Sequence, residues 1–166
     1  MFSDDIMALA AETLKLARDK GLHLATAESC TGGLIMGALT EIAGSSDVVD
    51  RGFITYTNRA KMDVLGVSAE TLRLGGAVTA ETAIAMAIGA LEKSSANIAV
   101  SVTGIAGPDG DSPGKPVGLV HMACALRDGE TLHEKHLFGN IGRRKVREAT
   151  VIAALRLFMR AITATI

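Results

Sequence analysis

The sequence has 166 residues, 48% hydrophobic and 21% charged, with a formal net charge of −1. That length suits one domain around one core and is short for two. Balanced charge gives no general attraction to nucleic acid or to an anionic membrane surface, and 3% aromatic content, with no Trp and one Tyr, argues against base-stacking platforms.

Other broad classes fall away on local pattern. No apolar run approaches the roughly 20 residues of a membrane span. Cys30 and Cys124 are far apart, and Asp4 and Asp5 stand where a signal peptide carries basic residues, so free thiols and a cytoplasmic location are expected. His23, His121, His133 and His136 show neither HExxH nor paired-Cys spacing, so neither a metal nor another cofactor is expected.

In chain order, Ser3 is placed to cap an amphipathic helix running to Lys20, with Gly21 as its stop. Leu22–Ala27 reads as a strand, Gly33–Ala43 as a helix, and Val48–Tyr56, where β-branched and aromatic residues gather, as a second strand. A short helix follows over about Arg59–Leu65. Ser68 and Thr79 each precede an Ala-Glu pair and an apolar run, the pattern of two further capped helices.

Ile98–Val102 is a continuous apolar strand, and the loop after it, Thr103 to Gly118, holds all three prolines and five glycines and is expected to divide the sheet. Leu119–Leu126 and Leu132–Phe138, separated by a turn containing Asp-Gly, read as an antiparallel hairpin. A last helix spans about Gly142 to Ala161. Together these predict a three-layer α/β/α sandwich with a mixed β-sheet, as a single domain over 1–166.

Chemistry concentrates in ESCTGG, Glu28 to Gly33, where a buried strand gives way to a helix. Ser29 is either an N-cap hydroxyl or a nucleophile, and the turn Thr31, Gly32, Gly33 can aim successive N–H groups at an oxyanion or a phosphate. A serine nucleophile needs a base, and no histidine pattern supplies one. Lys61, in the stretch GFITYTNRAK, is either a solvated surface lysine or, if desolvated, a neutral amine able to activate Ser29.

Cys30 is either a rival nucleophile at a helix start or a small buried side chain. Asp109, Asp111 and Lys115 in the Pro-Gly loop either serve a ligand or only connect strands. Arg143 and Arg147 put positive charge at the positive end of a helix dipole, which suggests an anion there, a solvated basic turn being the alternative.

Six ordered motifs carry a family resemblance: ESCTGG, AGSS (Ala43–Ser46), GFITYTNRAK, GAVT (Gly76–Thr79), SVTGIAGPDG (Ser101–Gly110) and KPVG (Lys115–Gly118). They resemble, from about Leu22 to Ile162, the C-terminal domain of the competence/damage-inducible CinA proteins, whose stand-alone members are nicotinamide-nucleotide amidases. The resemblance implies hydrolysis of nicotinamide mononucleotide to nicotinic acid mononucleotide and ammonia, in pyridine-nucleotide (NAD) recycling, by a Ser/Lys mechanism. It assigns the serine of ESCTGG, Ser29, as nucleophile and the lysine of TYxNxxK, Lys61, as base, with Tyr56 at the motif tyrosine as an orienting or relay group.

Glu28, Cys30, Thr31, Gly32, Gly33 and Asn58 are then expected to line the substrate. Thr103, Gly104, Ile105, Ala106 and Gly107 are expected to border the cleft from the GIAGPDG loop, and Arg143 or Arg147 to hold the phosphate. No counterpart is found of the molybdopterin-protein-like N-terminal domain carried by many relatives, so no role depending on it is expected. The expected partner is the small nucleotide substrate alone, without nucleic acid or membrane, in a homo-oligomer (dimer or higher).

Overall fold

Four helices start where a hydroxyl oxygen takes up an otherwise unpaired N–H, from Ser3, Thr57, Ser68 and Thr79. Ser3 accepts from Ile6 N–H at 3.4 Å, Ser68 from Thr71 N–H at 3.0 Å and Thr79 from Thr82 N–H at 3.1 Å. In the computed structural model, which describes residues 2–165, the chain runs α1 Asp4–Asp19, β1 Leu24–Glu28, α2 Leu34–Thr40, β2 Val49–Ile54, α3 Asn58–Leu65, α4 Ala69–Gly75 and α5 Ala80–Glu92. It continues as β3 Ile98–Gly104, β4 Leu119–Leu126, β5 Leu132–Leu137 and α6 Arg143–Ala164. Met1 and Ile166, the ends of the expected 1–166 span, lie outside the described residues.

The five strands form one mixed sheet in the order β2-β1-β3-β4-β5, with β1 parallel to β2 and β3, and β3, β4 and β5 successively antiparallel. The Pro-Gly loop therefore separates the parallel part of the sheet from the antiparallel part, although β3 and β4, which it joins, are direct neighbours. α1, α2 and α6 cover one face and α3, α4 and α5 the other, giving the three layers read from the sequence.

Strand alternation sorts the core into two halves. Leu24, Ile98, Val100, Val102, Val120, Met122 and Cys124 point to the α1/α2/α6 side. Ala25, Ala27, Ala99, Ala123 and Ala125 point to the other, where Ala83, Ala87 and Ala90 of α5 meet them. Small residues on both surfaces draw α5 close to the sheet. The approach is tightest between α5 and the end of α3, where a Cβ built on Gly89 would stand 2.0 Å from the Leu65 carbonyl oxygen.

β1 is Leu24–Glu28 rather than Leu22–Ala27, β3 and α6 run on to Gly104 and Ala164, and α2 and β2 stop short of the sequence reading. α2 stops at Thr40 because the chain turns through Gly44, φ 79°, whose carbonyl accepts from Arg18 at 2.9 Å. β2 ends at Ile54, two residues short of Tyr56, because the carbonyls of Thr55 and Tyr56 leave the ladder for a side chain described below.

Strand order places a reversal of the chain's connections at the carboxyl ends of β1 and β3. From β1 the chain crosses through α2 to β2 on one side, then through α3–α5 on the opposite face to β3 on the other. Such a reversal is where open α/β sheets receive ligands.

Gly89→Ala tests the close packing. It gains helix propensity, yet its methyl meets backbone, so it is expected to lower stability by about 1–3 kcal/mol, read as a lower urea midpoint at unchanged m-value. A midpoint equal to or above that of the parent protein would show that α5 does not sit this close.

Candidate active site

Ser29 is the first residue after β1, and sheet register decides what stands beside it. Glu28 pairs with Ile54 of β2 and with Val102 of β3, so the ladder continues as Ser29 N–H to Val102 O at 3.1 Å and Thr55 N–H to Glu28 O at 2.9 Å. Thr57 then caps α3, accepting from Ala60 N–H at 3.1 Å. The first turn of that helix returns Lys61 over the strand end.

The Lys61 side chain is completely buried, and Ser29 is 8% exposed. Lys61 Nζ stands 3.0 Å from Ser29 Oγ and donates to the carbonyls of Thr55 at 2.7 Å and Tyr56 at 3.3 Å. None of the ion pairs among the described residues includes Lys61. Burial without a carboxylate partner disfavours the ammonium and pushes the amine down to about 8. A neutral amine has two N–H bonds and one lone pair, and here two carbonyls face it together with one hydroxyl.

Glu28 serves a different end from the one expected. Its carboxyl group is fully buried and accepts from Thr31 Oγ1 at 2.7 Å, Gly33 N–H at 2.9 Å, Ile35 N–H at 3.1 Å and Met36 N–H at 2.8 Å. It caps α2 from beneath and has no face left for substrate. The turn that makes this possible runs through Gly32 at φ 60° and Gly33 at φ 100°, and a Cβ on Gly33 would also come within 2.9 Å of Ile54 Cδ1.

The donors available to an oxyanion shift accordingly. Gly32 N–H is bound to Ser29 O at 3.1 Å and Gly33 N–H to Glu28, whereas Cys30 N–H and Thr31 N–H, among the described residues, have no protein acceptor. The expected donor run Thr31–Gly33 thus moves back to Cys30 and Thr31. The Cys30 thiol is 5% exposed within the core, and burial pushes it up to about 12, so the helix start does not make it a thiolate.

Tyr56 reaches Lys61 through its carbonyl only. The residue is 59% exposed, and its hydroxyl accepts from Arg143 Nη2 at 3.2 Å, so the expected proton relay has no contact to run through. Arg143 Nη1 also donates to Gly107 O at 2.9 Å, tying the strand-end tyrosine to the Pro-Gly loop. Arg147 donates from Nε to Cys30 O at 3.1 Å and from Nη2 to Thr31 O at 2.9 Å. Asn58 is exposed at the start of α3.

The loop residues take several parts. Thr103 is buried, its hydroxyl donating to Ala77 O at 2.7 Å, so it ties the GAVT turn to β3. A Cβ on Gly104 would lie 2.6 Å from Val120 Cγ2, and one on Gly107, φ 82°, would lie 2.7 Å from Val117 Cγ1. Ile105 and Ala106 are buried, and Asp109 and Asp111 are exposed. Lys115 Nζ donates to Gly75 O, a contact between loop and α4 rather than with a ligand.

With this geometry in place, comparison with known proteins is decisive for ancestry. A profile of the CinA C-terminal domain matches residues 6–162. The chain belongs to that family. It is 47% identical to a protein of Enterobacter agglomerans named nicotinamide-nucleotide amidohydrolase PncC, over 92% of each chain, and 42% identical to the protein of the same name from Escherichia coli K12, over 95% of this chain and 96% of that one. A CinA-like protein of Syntrophobacter fumaroxidans is 51% identical over 88% of this chain, which spans only 34% of that longer protein. The crystal structure of the competence/damage inducible protein CihA from Agrobacterium tumefaciens superposes with a TM-score of 0.95 at 57% identity, over 98% of both chains.

The lysine makes a stability prediction. Its folded value, about 8, lies below its ordinary 10.5, so between those values the unfolded chain binds more protons and stability rises with pH. Relative to Lys61→Met, the parent protein is expected to gain about 3 kcal/mol from pH 7 to pH 10.5, since each pK unit is worth about 1.4 kcal/mol. Parallel urea midpoints for the two proteins across that range would show that Lys61 is charged when folded.

Proposed function

We propose that this protein hydrolyses the carboxamide of nicotinamide mononucleotide to nicotinic acid mononucleotide and ammonia, within pyridine-nucleotide recycling. The observation that carries this reading is the Lys61 amine, buried and 3.0 Å from Ser29 Oγ with no acidic partner among the described residues. The near full-length match to proteins named nicotinamide-nucleotide amidohydrolase supports the choice of substrate.

Lys61 in its neutral form, whose share grows as pH rises through about 8, takes the hydroxyl proton as Ser29 Oγ bonds to the carboxamide carbon. The carbonyl oxygen becomes an oxyanion facing the free N–H groups of Cys30 and Thr31. Collapse breaks the C–N bond while Lys61 returns the proton to departing ammonia, leaving an acyl-serine ester. Water, deprotonated by the same lysine, attacks the ester, and the proton passes to Ser29 as nicotinic acid mononucleotide is released. Two carbonyls keep Nζ in place through both half-reactions.

Arg143 is the better of the two arginines for the substrate phosphate. It is exposed, and its hydroxyl partner Tyr56 can be exchanged for a phosphate oxygen, whereas Arg147 spends two donors on backbone carbonyls. Remote phosphate binding would align the amide for attack. A module that only cradles phosphate at a helix start is disfavoured by Glu28, which already occupies the α2 N–H groups of Gly33, Ile35 and Met36.

Ammonia release from nicotinamide mononucleotide tests the assignment. Wild type is expected to turn over with kcat rising through pH 8, and Ser29→Ala and Lys61→Met to lose at least about 1,000-fold in kcat while binding substrate within a few-fold. Retained turnover in Ser29→Ala, or its loss in Cys30→Ala alone, would contradict the serine mechanism. Arg143→Ala is expected to raise KM for the mononucleotide but not for its riboside, and an equal change for both would remove the phosphate role.

A further inference from the structure

The oxyanion donors belong to a turn that is held from behind by a side chain distant in sequence. Arg147, on the row of α6 that leads to buried Val151 and Leu155, grips the carbonyls of both Cys30 and Thr31. In a trans peptide the C=O and the N–H of one unit point in opposite directions. With the Cys30 carbonyl drawn toward α6, the N–H of Thr31 in the same peptide is turned away from α6. The next peptide behaves this way: Thr31 O faces Arg147, and Gly32 N–H reaches back to Ser29 O at 3.1 Å.

We infer that Arg147 is a positioning residue for amide hydrolysis, fixing and polarising the Cys30–Thr31 peptide so that Thr31 N–H is set in advance for the oxyanion. The inference rests on the Ser29 amidase reading above. Its physical need is plain from the turn, because Gly32 and Gly33 sit at positive φ in the residue type with the most backbone freedom. A donor that reorganises during the reaction stabilises charge less than one already in place. A planar guanidinium holds two neighbouring carbonyls at once, which a lysine cannot do with the same geometry.

Polarisation acts in the same direction. A cationic donor on the Cys30 oxygen withdraws electron density through the amide and strengthens the N–H on its far side. Outside the turn, Arg147 lines a groove of about 370 Å³ with Phe2, Ser3, Leu34, Arg144 and Val151, so removing its side chain would leave an opening for a small guanidinium ion.

The test is steady-state hydrolysis of nicotinamide mononucleotide by wild type, Arg147→Ala and Arg147→Lys, together with binding of nicotinic acid mononucleotide and inhibition by the substrate analogue with an aldehyde in place of the amide. Ser29 adds to that aldehyde to form a hemiacetal whose oxygen occupies the oxyanion position. Arg147→Ala is expected to lose about 10–100-fold in kcat, with KM and product affinity held within about 3-fold. Aldehyde inhibition should weaken in step with kcat, Arg147→Lys should fall between, and millimolar methylguanidinium should restore part of the Arg147→Ala rate. Unchanged kcat, or a raised KM at constant kcat, would overturn the positioning role, as would loss of product binding equal to loss of aldehyde binding. An inactive wild type would remove the amidase reading and this inference with it, whereas an active wild type matched by Arg147→Ala removes the inference alone.

Discussion

A lysine side chain with no carboxylate partner among the described residues lies fully inside this protein, and much of the surrounding structure follows from keeping it there. Burying an ammonium without a counter-charge is costly, and the group responds by giving up its proton near pH 8, well below its ordinary range. The two carbonyls that meet Nζ come from the point where β2 leaves the sheet, so the end of that strand and the lysine site are one feature. The remaining direction is taken by Ser29, brought there by the β1–β2 register.

The neighbouring groups divide the work. Glu28, one residue from the nucleophile, turns away from it and closes the N-terminus of α2, which holds the two-glycine turn in shape without adding a charge beside the amine. Arg147 takes the carbonyls of that turn, and Arg143 links Tyr56 to the Pro-Gly loop across the mouth. All of this lies where the sheet's connections reverse, with the two halves of the core packed on opposite sides.

Much of the architecture was legible in residue types. Hydroxyl residues marked helix starts at Ser3, Ser68 and Thr79, Asp-Gly marked the turn between β4 and β5, and the three-layer mixed sheet followed from element order. Ser29 and Lys61 were paired by the family motifs, while residue types alone showed only that a serine in a glycine turn needs a base and left Lys61 open between that base and a solvated lysine. What could not be read were the backbone partners: carbonyls at Thr55, Tyr56, Cys30 and Thr31 carry no residue-type signature. The part of Glu28 was missed because its cap reaches four donors only through two left-handed glycines, whereas Cys30 takes the buried alternative of its two readings because burial outweighs its place at a helix start. Positive charge at the positive end of α6 was a sound signal that Arg143 and Arg147 have partners; for Arg147 those proved to be carbonyls instead of an anion.

Titration of Lys61 itself tests the central claim most directly. With the lysine side chains carbon-13 labelled at Cε and the Lys61 signal assigned from Lys61→Met, its chemical shift should move with pH about a midpoint near 8 while other lysines titrate above 10. A Lys61 signal that titrates with the surface lysines would mean that the amine holds its proton well above pH 8, and that Ser29 has no base in this site.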